Sequence, residues 1–275
     1  MSLEIIVKVI LLGIVEGITE FLPISSTGHL IVVASLLSYP PVGAFRDTFD
    51  IFIQLGAILA VVVYYARDLL KMAGKLPSDR ETQQFWMNVI VAFIPAGIVG
   101  FLFRHWIKDV LFNPVVVAAS LIVGGIIFLV VEQRPRQAQT TQLEKVSFKQ
   151  ALLVGLSQIA ALIPGVSRSG ATIIGGMLSG MDRLVATKFT FYLSIPTLGI
   201  ATVYELFSAI KDGVVTSADL PAFALGTVVS FIVAWASIAW LLRYVSSHDF
   251  KNFGYYRILA GVVILIMAAA KLLVW

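Results

Sequence analysis

The chain has 275 residues, 59% of them hydrophobic and 13% charged, whereas charged residues make up about a quarter of an ordinary soluble domain, so a water-soluble globule is excluded. Its net charge of +4 comes from basic residues gathered in a few short segments, as orientation signals at a bilayer are, and does not point to nucleic acid. There is no cysteine, which excludes disulfides and thiolate metal sites.

Met1-Ser-Leu-Glu4 lacks a basic lead-in, and Glu16 interrupts the apolar run behind it, so no cleavable signal is expected. The first element, about 3–38, is a pair of short apolar runs broken by a tip rich in Pro, Gly and Ser. Three stretches long enough to span a bilayer follow, at about 50–66, 86–105 and 113–132. A polar segment runs from Glu132 to Lys149 and reads as a mobile linker, as does Gly74–Gln84. A second broken pair, about 149–182, precedes three more spans at about 186–208, 221–243 and 255–275. Pro95 and Pro196 mark kinks within spans.

These elements predict an all-α polytopic membrane protein forming one domain over 1–275, with six full spans and two re-entrant helix pairs. Irregular backbone at membrane depth is tolerated only where protein or a wet cavity surrounds it. Lys and Arg set the orientation. Arg67, Lys71, Lys75, Arg80, Arg134, Arg136, Lys145, Lys149, Arg243, Lys251 and Arg257 fall on one side; Arg46, Arg104, Lys108 and Lys211 fall on the other. Eleven against four puts the first set in the cytoplasm and both termini outside. Each broken pair is followed by an odd number of crossings. The first repeat (1–132) and the second (149–275), joined by a linker at 133–148, are therefore inverted, with tips that can meet near the midplane. The echo between the tips is short and needs a one-residue gap.

The first tip reads Glu16-Gly-Ile-Thr-Glu20-Phe-Leu-Pro23-Ile-Ser25-Ser26-Thr27-Gly28-His29. Glu16 and Glu20 share a helix face. Paired carboxylates in an apolar setting call for a divalent cation, a shared proton or a nearby Arg, and Mg²⁺ or Ca²⁺ suits such oxygen ligands. Ser25, Ser26 and Thr27 sit where a helix begins. There they can serve as ordinary caps, and the free N–H groups with the dipole favour phosphate. His29 lies three residues past Ser26, so its imbedded imidazole is expected to reach the Ser26 hydroxyl as general base. The second tip, Pro164-Gly165-Val-Ser167-Arg168-Ser169-Gly170-Ala-Thr172, offers a guanidinium fork with hydroxyls from Ser167, Ser169 and Thr172. It is not a Walker loop, because the Gly-Lys-Ser/Thr ending and a preceding strand are missing. Gln54 and Gln158 either line the cavity or join helices; Glu132 and Glu205 read as solvated or ion-paired residues near helix ends, and His105 and His248 as loop residues.

At these motifs the chain resembles the undecaprenyl-diphosphate phosphatase family of bacterial membrane enzymes tied to bacitracin resistance. Glu16-Gly-Ile-Thr-Glu20-Phe-Leu-Pro-Ile-Ser25-Ser26-Thr27-Gly28-His29 is similar to the first family signature, and Pro164-Gly-Val-Ser167-Arg168-Ser169-Gly170-Ala-Thr172 to the second. Weaker echoes are Ile53-Gln54-Leu-Gly-Ala-Ile-Leu-Ala, Ile94-Pro95-Ala and Phe191-Tyr-Leu-Ser-Ile-Pro196. The resemblance implies hydrolysis of undecaprenyl diphosphate to the monophosphate carrier of peptidoglycan synthesis. It also implies a periplasm-facing site in the inner (plasma) membrane and dependence on a divalent cation. Glu16, Glu20, Ser26, His29 and Arg168 match the family's functional positions.

The expected site has Arg168 with the loop N–H groups clamping the phosphates, helped by Ser25, Thr27, Gly28, Ser167, Ser169 and Thr172. Glu16 and Glu20 hold the cation, and Ser26 is the nucleophile with His29 as its base. Attack by water activated by His29 or Glu20, or phosphorylation of His29 itself, is equally compatible with the sequence. The expected partners are the polyprenyl diphosphate substrate and membrane lipids, with a homodimer allowed. The rival from another class is a transporter or flippase for a polyprenyl phosphate, since inverted repeats with broken helices also build secondary transporters.

Overall fold

Backbone amides in hydrocarbon have no water to bond, so long apolar runs satisfy them internally as helices. A computed structural model of the protein describes residues 1–40, 44–133, 138–211, 213 and 216–273, and these form eleven α-helices and no strand. Six are long and apolar enough to cross a membrane: α3 (Ala44–Tyr64), α5 (Arg80–Trp106), α6 (Pro114–Glu132), α9 (Arg183–Lys211), α10 (Leu220–Val245) and α11 (Lys251–Ala269). The expectation of an all-α, multi-pass membrane protein holds. Pro95 and Pro196 fall inside α5 and α9.

Four shorter helices make the two broken pairs: α1 (Leu3–Thr19) with α2 (Ser26–Leu37), and α7 (Phe148–Ile159) with α8 (Arg168–Leu178). The 12 residues of α2 and of α7 and the 11 of α8 reach only about 18 Å at 1.5 Å per residue, well short of a hydrocarbon core of about 30 Å. Their ends are written locally. Ser2 caps α1 through a bond from the Ile5 amide, and Ser147 with Gln150 closes a capping box on α7, which satisfies amides that a helix start leaves free.

The packing partners follow a two-fold pattern. Helix α1 lies against α10, while α7, its counterpart, lies against α5, the counterpart of α10; α3 pairs with α9 and α6 with α11. Close approach is made by glycine in both halves. A Cβ on Gly17 would sit 2.7 Å from Val233 Cβ of α10, and one on Gly155 would sit 2.6 Å from the Ala92 carbonyl oxygen of α5.

Three expectations need correction. Residues read as a charged loop form an extra helix, α4 (Ala66–Lys75), which buries none of its residues. The linker is not free over its described part. Gln139 and Thr140 donate backbone bonds to Gly180 O, and Asn88 Nδ2 reaches Val146 O at 2.7 Å. Gln150 Nε2 ties Thr140 Oγ1 to Ser179 O, and Lys145 pairs with Glu81; Arg134 and Arg136 lie outside the described residues. Third, Arg257 is not a loop charge but a fully buried side chain of α11, which leaves ten orientation charges on its side rather than eleven.

Substituting Gly17 by Val should push α1 off α10 and cost about 3 kcal/mol or more as an overpacked contact. A thermal-unfolding measurement in detergent checks this, and an unchanged midpoint would refute the packing described.

Candidate active site between the two tips

The two tips share one backbone conformation. Ser25 has φ 72° and ψ 99°, and Ser167 has φ 71° and ψ 118°, a positive φ that residues with a Cβ seldom adopt. Each then caps its helix: Ser25 Oγ accepts from the Gly28 amide at 3.5 Å, and Ser167 Oγ from the Gly170 amide at 3.1 Å. Aligned on these caps, the internal echo needs no gap. Glu16 precedes Ser25 by nine residues, as Gln158 precedes Ser167, and Ser26 stands in the position of Arg168.

The tips touch. Ser169 Oγ donates to the Leu22 carbonyl at 3.0 Å, and Arg168 Nη2 lies 3.4 Å from Glu20 Oε1. The other oxygen of Glu20, Oε2, accepts the Ser26 hydroxyl at 2.5 Å. One buried carboxylate therefore joins the hydroxyl of the first tip to the guanidinium of the second. Arg168 is held further by the Thr190 carbonyl (3.5 Å) and by the face of Phe21, 5.9 Å from its centroid. Its Nε is buried without a partner, as is Glu16 Oε2. Buried polar atoms are normally bonded, so this donor and this acceptor keep unused hydrogen-bonding capacity, although Glu16 does not line the cavity described next.

A cavity of about 900 Å³ opens from this junction. Its floor includes Glu20, Ser25, Ser26, Thr27, Ser167 and Arg168; Gln54 and Gln158 also line it. From there it runs along α5 and α9, past Phe93, Ile98, Phe101, Leu162 and Ile200, to Arg104, Tyr204 and Glu205 at the far ends of those helices. Arg104 is hydrogen-bonded to the Tyr204 hydroxyl at this rim. The floor is polar and the walls are apolar, which suits a ligand with a charged head and a hydrocarbon body.

Not every residue expected at the site reaches it. Ser169 and Thr172 are fully buried and bonded within the protein; Thr172 Oγ1 reaches Arg168 O at 2.9 Å and Thr190 Oγ1 at 2.9 Å. They shape the second tip rather than face the cavity. Gly28 packs on α6, where a Cβ would meet Leu121 and Val117 at 3.2 and 3.3 Å. His29 is not bonded to Ser26. Its Nδ1 lies 2.8 Å from Ser25 O, which only accepts, so Nδ1 carries the proton. Nε2 then accepts the Tyr256 hydroxyl at 2.6 Å, with the two rings stacked 5.5 Å apart. Both ring nitrogens are engaged, and the imidazole braces the carbonyl of the Ser25 cap. Glu132 is ion-paired, as expected, with Arg183.

The chain matches the family model described as bacitracin resistance protein BacA over residues 9–263. It belongs to that family. It is similar to the undecaprenyl-diphosphatase of Albidiferax ferrireducens, 49% identical over 100% of this chain and 99% of the relative. Similar relatives are the undecaprenyl-diphosphatase of a Polaromonas species, 48% identical over the same shares, and undecaprenyl-diphosphatase 1 of Paraburkholderia xenovorans, 49% identical over 98% of this chain and 97% of the relative.

A divalent cation is consistent with the donor set of this family member without being enclosed by it. Among the described residues no cluster of three or more His, Cys, Asp or Glu side chains forms a metal cage. Glu16 nevertheless keeps one buried oxygen unpaired, and Mg²⁺ typically takes one or two carboxylates and completes its shell with water and substrate phosphates. Sequence reasoning missed Arg257, Tyr256 and the Arg104–Tyr204 rim. Only Arg257 carried a signal, a charge in the second turn of a helix whose following residues are all apolar.

Proposed function

We propose that the chain removes the terminal phosphate of undecaprenyl diphosphate, yielding undecaprenyl phosphate and inorganic phosphate and so returning the lipid carrier to peptidoglycan synthesis. The observation that carries this reading is Glu20 standing between the Ser26 hydroxyl and Arg168 on the floor of a polar-headed, apolar-walled cavity. Phosphoryl transfer asks a protein mainly for positioning and charge stabilisation, and that junction offers both. A site built only to bind and carry a phosphate lipid has no need of a carboxylate on a hydroxyl.

In the mechanism we favour, the diphosphate binds against Arg168 and the N-terminal amides of α2 and α8. Ser26 Oγ attacks the terminal phosphorus while Glu20 takes its proton. The bond to the bridging oxygen breaks and undecaprenyl phosphate leaves. Glu20 hands that proton to the departing undecaprenyl phosphate. Water then attacks the phosphoserine while Glu20 takes its proton and passes it to Ser26 Oγ, which is regenerated as inorganic phosphate departs. A Mg²⁺ or Ca²⁺ ion held by Glu16 and the phosphates would offset the negative charge that the substrate adds. Glu20 replaces His29 as the base because it already holds the Ser26 hydroxyl; His29 is a positioning residue for the cap.

The cavity reaches Arg104 and Glu205, toward the C-terminal ends of α5 and α9, the side with the fewer basic residues in the orientation count. We infer that this end of the cavity and both termini face the periplasmic side of a bacterial plasma membrane.

Phosphate release from a prenyl diphosphate should fall by about 10⁴-fold or more in Ser26→Ala, the order lost with the nucleophile of a concerted site. A chelator should abolish release in the unmodified protein, and brief reaction with substrate labelled in its terminal phosphate should leave label on Ser26. Full activity in Ser26→Ala would eliminate serine attack. His29→Asn, which can still donate to Ser25 O, should retain far more activity than His29→Ala; equal loss in both would return the base role to His29. Because the chain lacks cysteine, single-cysteine labelling reads its orientation. In intact cells a membrane-impermeant thiol reagent should modify Ser217→Cys and spare Gly74→Cys; the opposite pattern would invert the topology.

A further inference from the structure

Arg257 of α11 is completely buried. Among the described residues its guanidinium bonds only to backbone carbonyls: Pro23 O (3.0 Å), Gly165 O (3.1 Å), Val166 O (2.8 Å), Ser120 O (3.3 Å) and Leu121 O (3.4 Å). Pro23 and Gly165 each precede the serine cap of their tip by two residues. One planar fork thus grips the equivalent carbonyl of both tips and fastens them to α6. The groove that admits it is carved by small residues. A Cβ on Gly124 would sit 2.2 Å from Nη2, and one on Gly170 would sit 3.1 Å from Nη1.

Removing an unpaired charge from water is unfavourable, and a hydrophobic side chain of similar volume would be the simpler filling for the space between α6 and α11. The guanidinium therefore needs an explanation beyond packing. It lies directly behind Gly165, which lines the active-site cavity, and behind the N-termini of α2 and α8. Its positive charge adds to the two helix dipoles at the place where the phosphates bind.

We propose that Arg257 is a positioning residue for the phosphatase reaction, setting the spacing of the two tips that brings Arg168, Glu20 and Ser26 together and backing the phosphate cradle with its charge. No substrate atom touches it. The fork fixes geometry, which acts on kcat; the charge favours the bound anion, which acts on KM. This inference rests on the phosphatase reading, but its structural half is measurable without any substrate.

The test uses the full chain in detergent or nanodiscs. Kinetics with a prenyl diphosphate are combined with hydrogen exchange at the two tips, 21–27 and 163–170, and at α3 and α10 as a remote control. Arg257→Met should lower kcat by about 100-fold, the loss expected when reacting groups are misplaced by roughly 1 Å. It should also raise KM and speed exchange at both tips together, leaving α3 and α10 unchanged. Arg257→Lys, which keeps the charge and loses the fork, should lower kcat with KM little altered. Unchanged kcat in Arg257→Met would overturn the proposal, as would exchange that rises equally at the tips and the control helices. If Arg257→Met does not fold, Arg257→Lys decides: a fall in kcat without a rise in KM supports the proposal, and parallel changes in both refute it. If the unmodified protein releases no phosphate, the phosphatase reading fails, while tip exchange still decides the clamp.

Discussion

The structure depends on one contact that lipid alone would never bring about: two loops, entering from different ends of the chain, meet inside the membrane protein and satisfy each other. Irregular backbone at that depth must find partners within the protein. It does so through Ser169 on Leu22 O, Arg168 on Glu20, and Arg257 on the carbonyls of both tips. The surrounding helices make this meeting enforceable. Glycine-mediated packing of α1 on α10 and of α7 on α5 seats each broken pair against a long helix, and the pinned linker ties α7 and α8 to the first turns of α5.

A repeated fold has been given unequal chemistry. Both tips keep the same cap, with a serine at positive φ receiving a glycine amide three residues on. At equivalent positions the first tip carries Glu16 and Ser26 where the second carries Gln158 and Arg168. One half thus supplies a carboxylate and a hydroxyl, and the other supplies an amide and a guanidinium fork. The shared scaffold gives both tips one backbone geometry, and the divergence gives them complementary side chains.

Much of this was legible in the sequence. The six spans follow from apolar length, and the two broken pairs from prolines and glycines flanking hydroxyls. Ionisable residues at depth, Glu16, Glu20 and Arg168, point to the site because their burial demands a reason. Other features were not legible because they depend on what lies opposite in space. Ser26 has two nearby bases in sequence, and only the fold shows that the carboxylate takes its hydroxyl while Tyr256, 227 residues away, takes the imidazole. The linker's polarity looked like mobility because its partners, Gly180 O and Asn88, are remote in sequence. Arg257 was miscounted because a charge near a helix start resembles a topology signal until the carbonyls around it are seen.

The cavity described above has one wet end and one oily flank, with Ile98, Phe101 and Leu102 of α5 at once lining it and facing outward. Cleavage at its floor makes two fragments of opposite solubility. Arg104 stands at the end of the cavity away from Arg168, whereas the cavity's apolar wall includes side chains that are exposed on the outside of the protein. The chamber thus offers a polar end and an apolar flank from the same floor, matched to two fragments of opposite solubility.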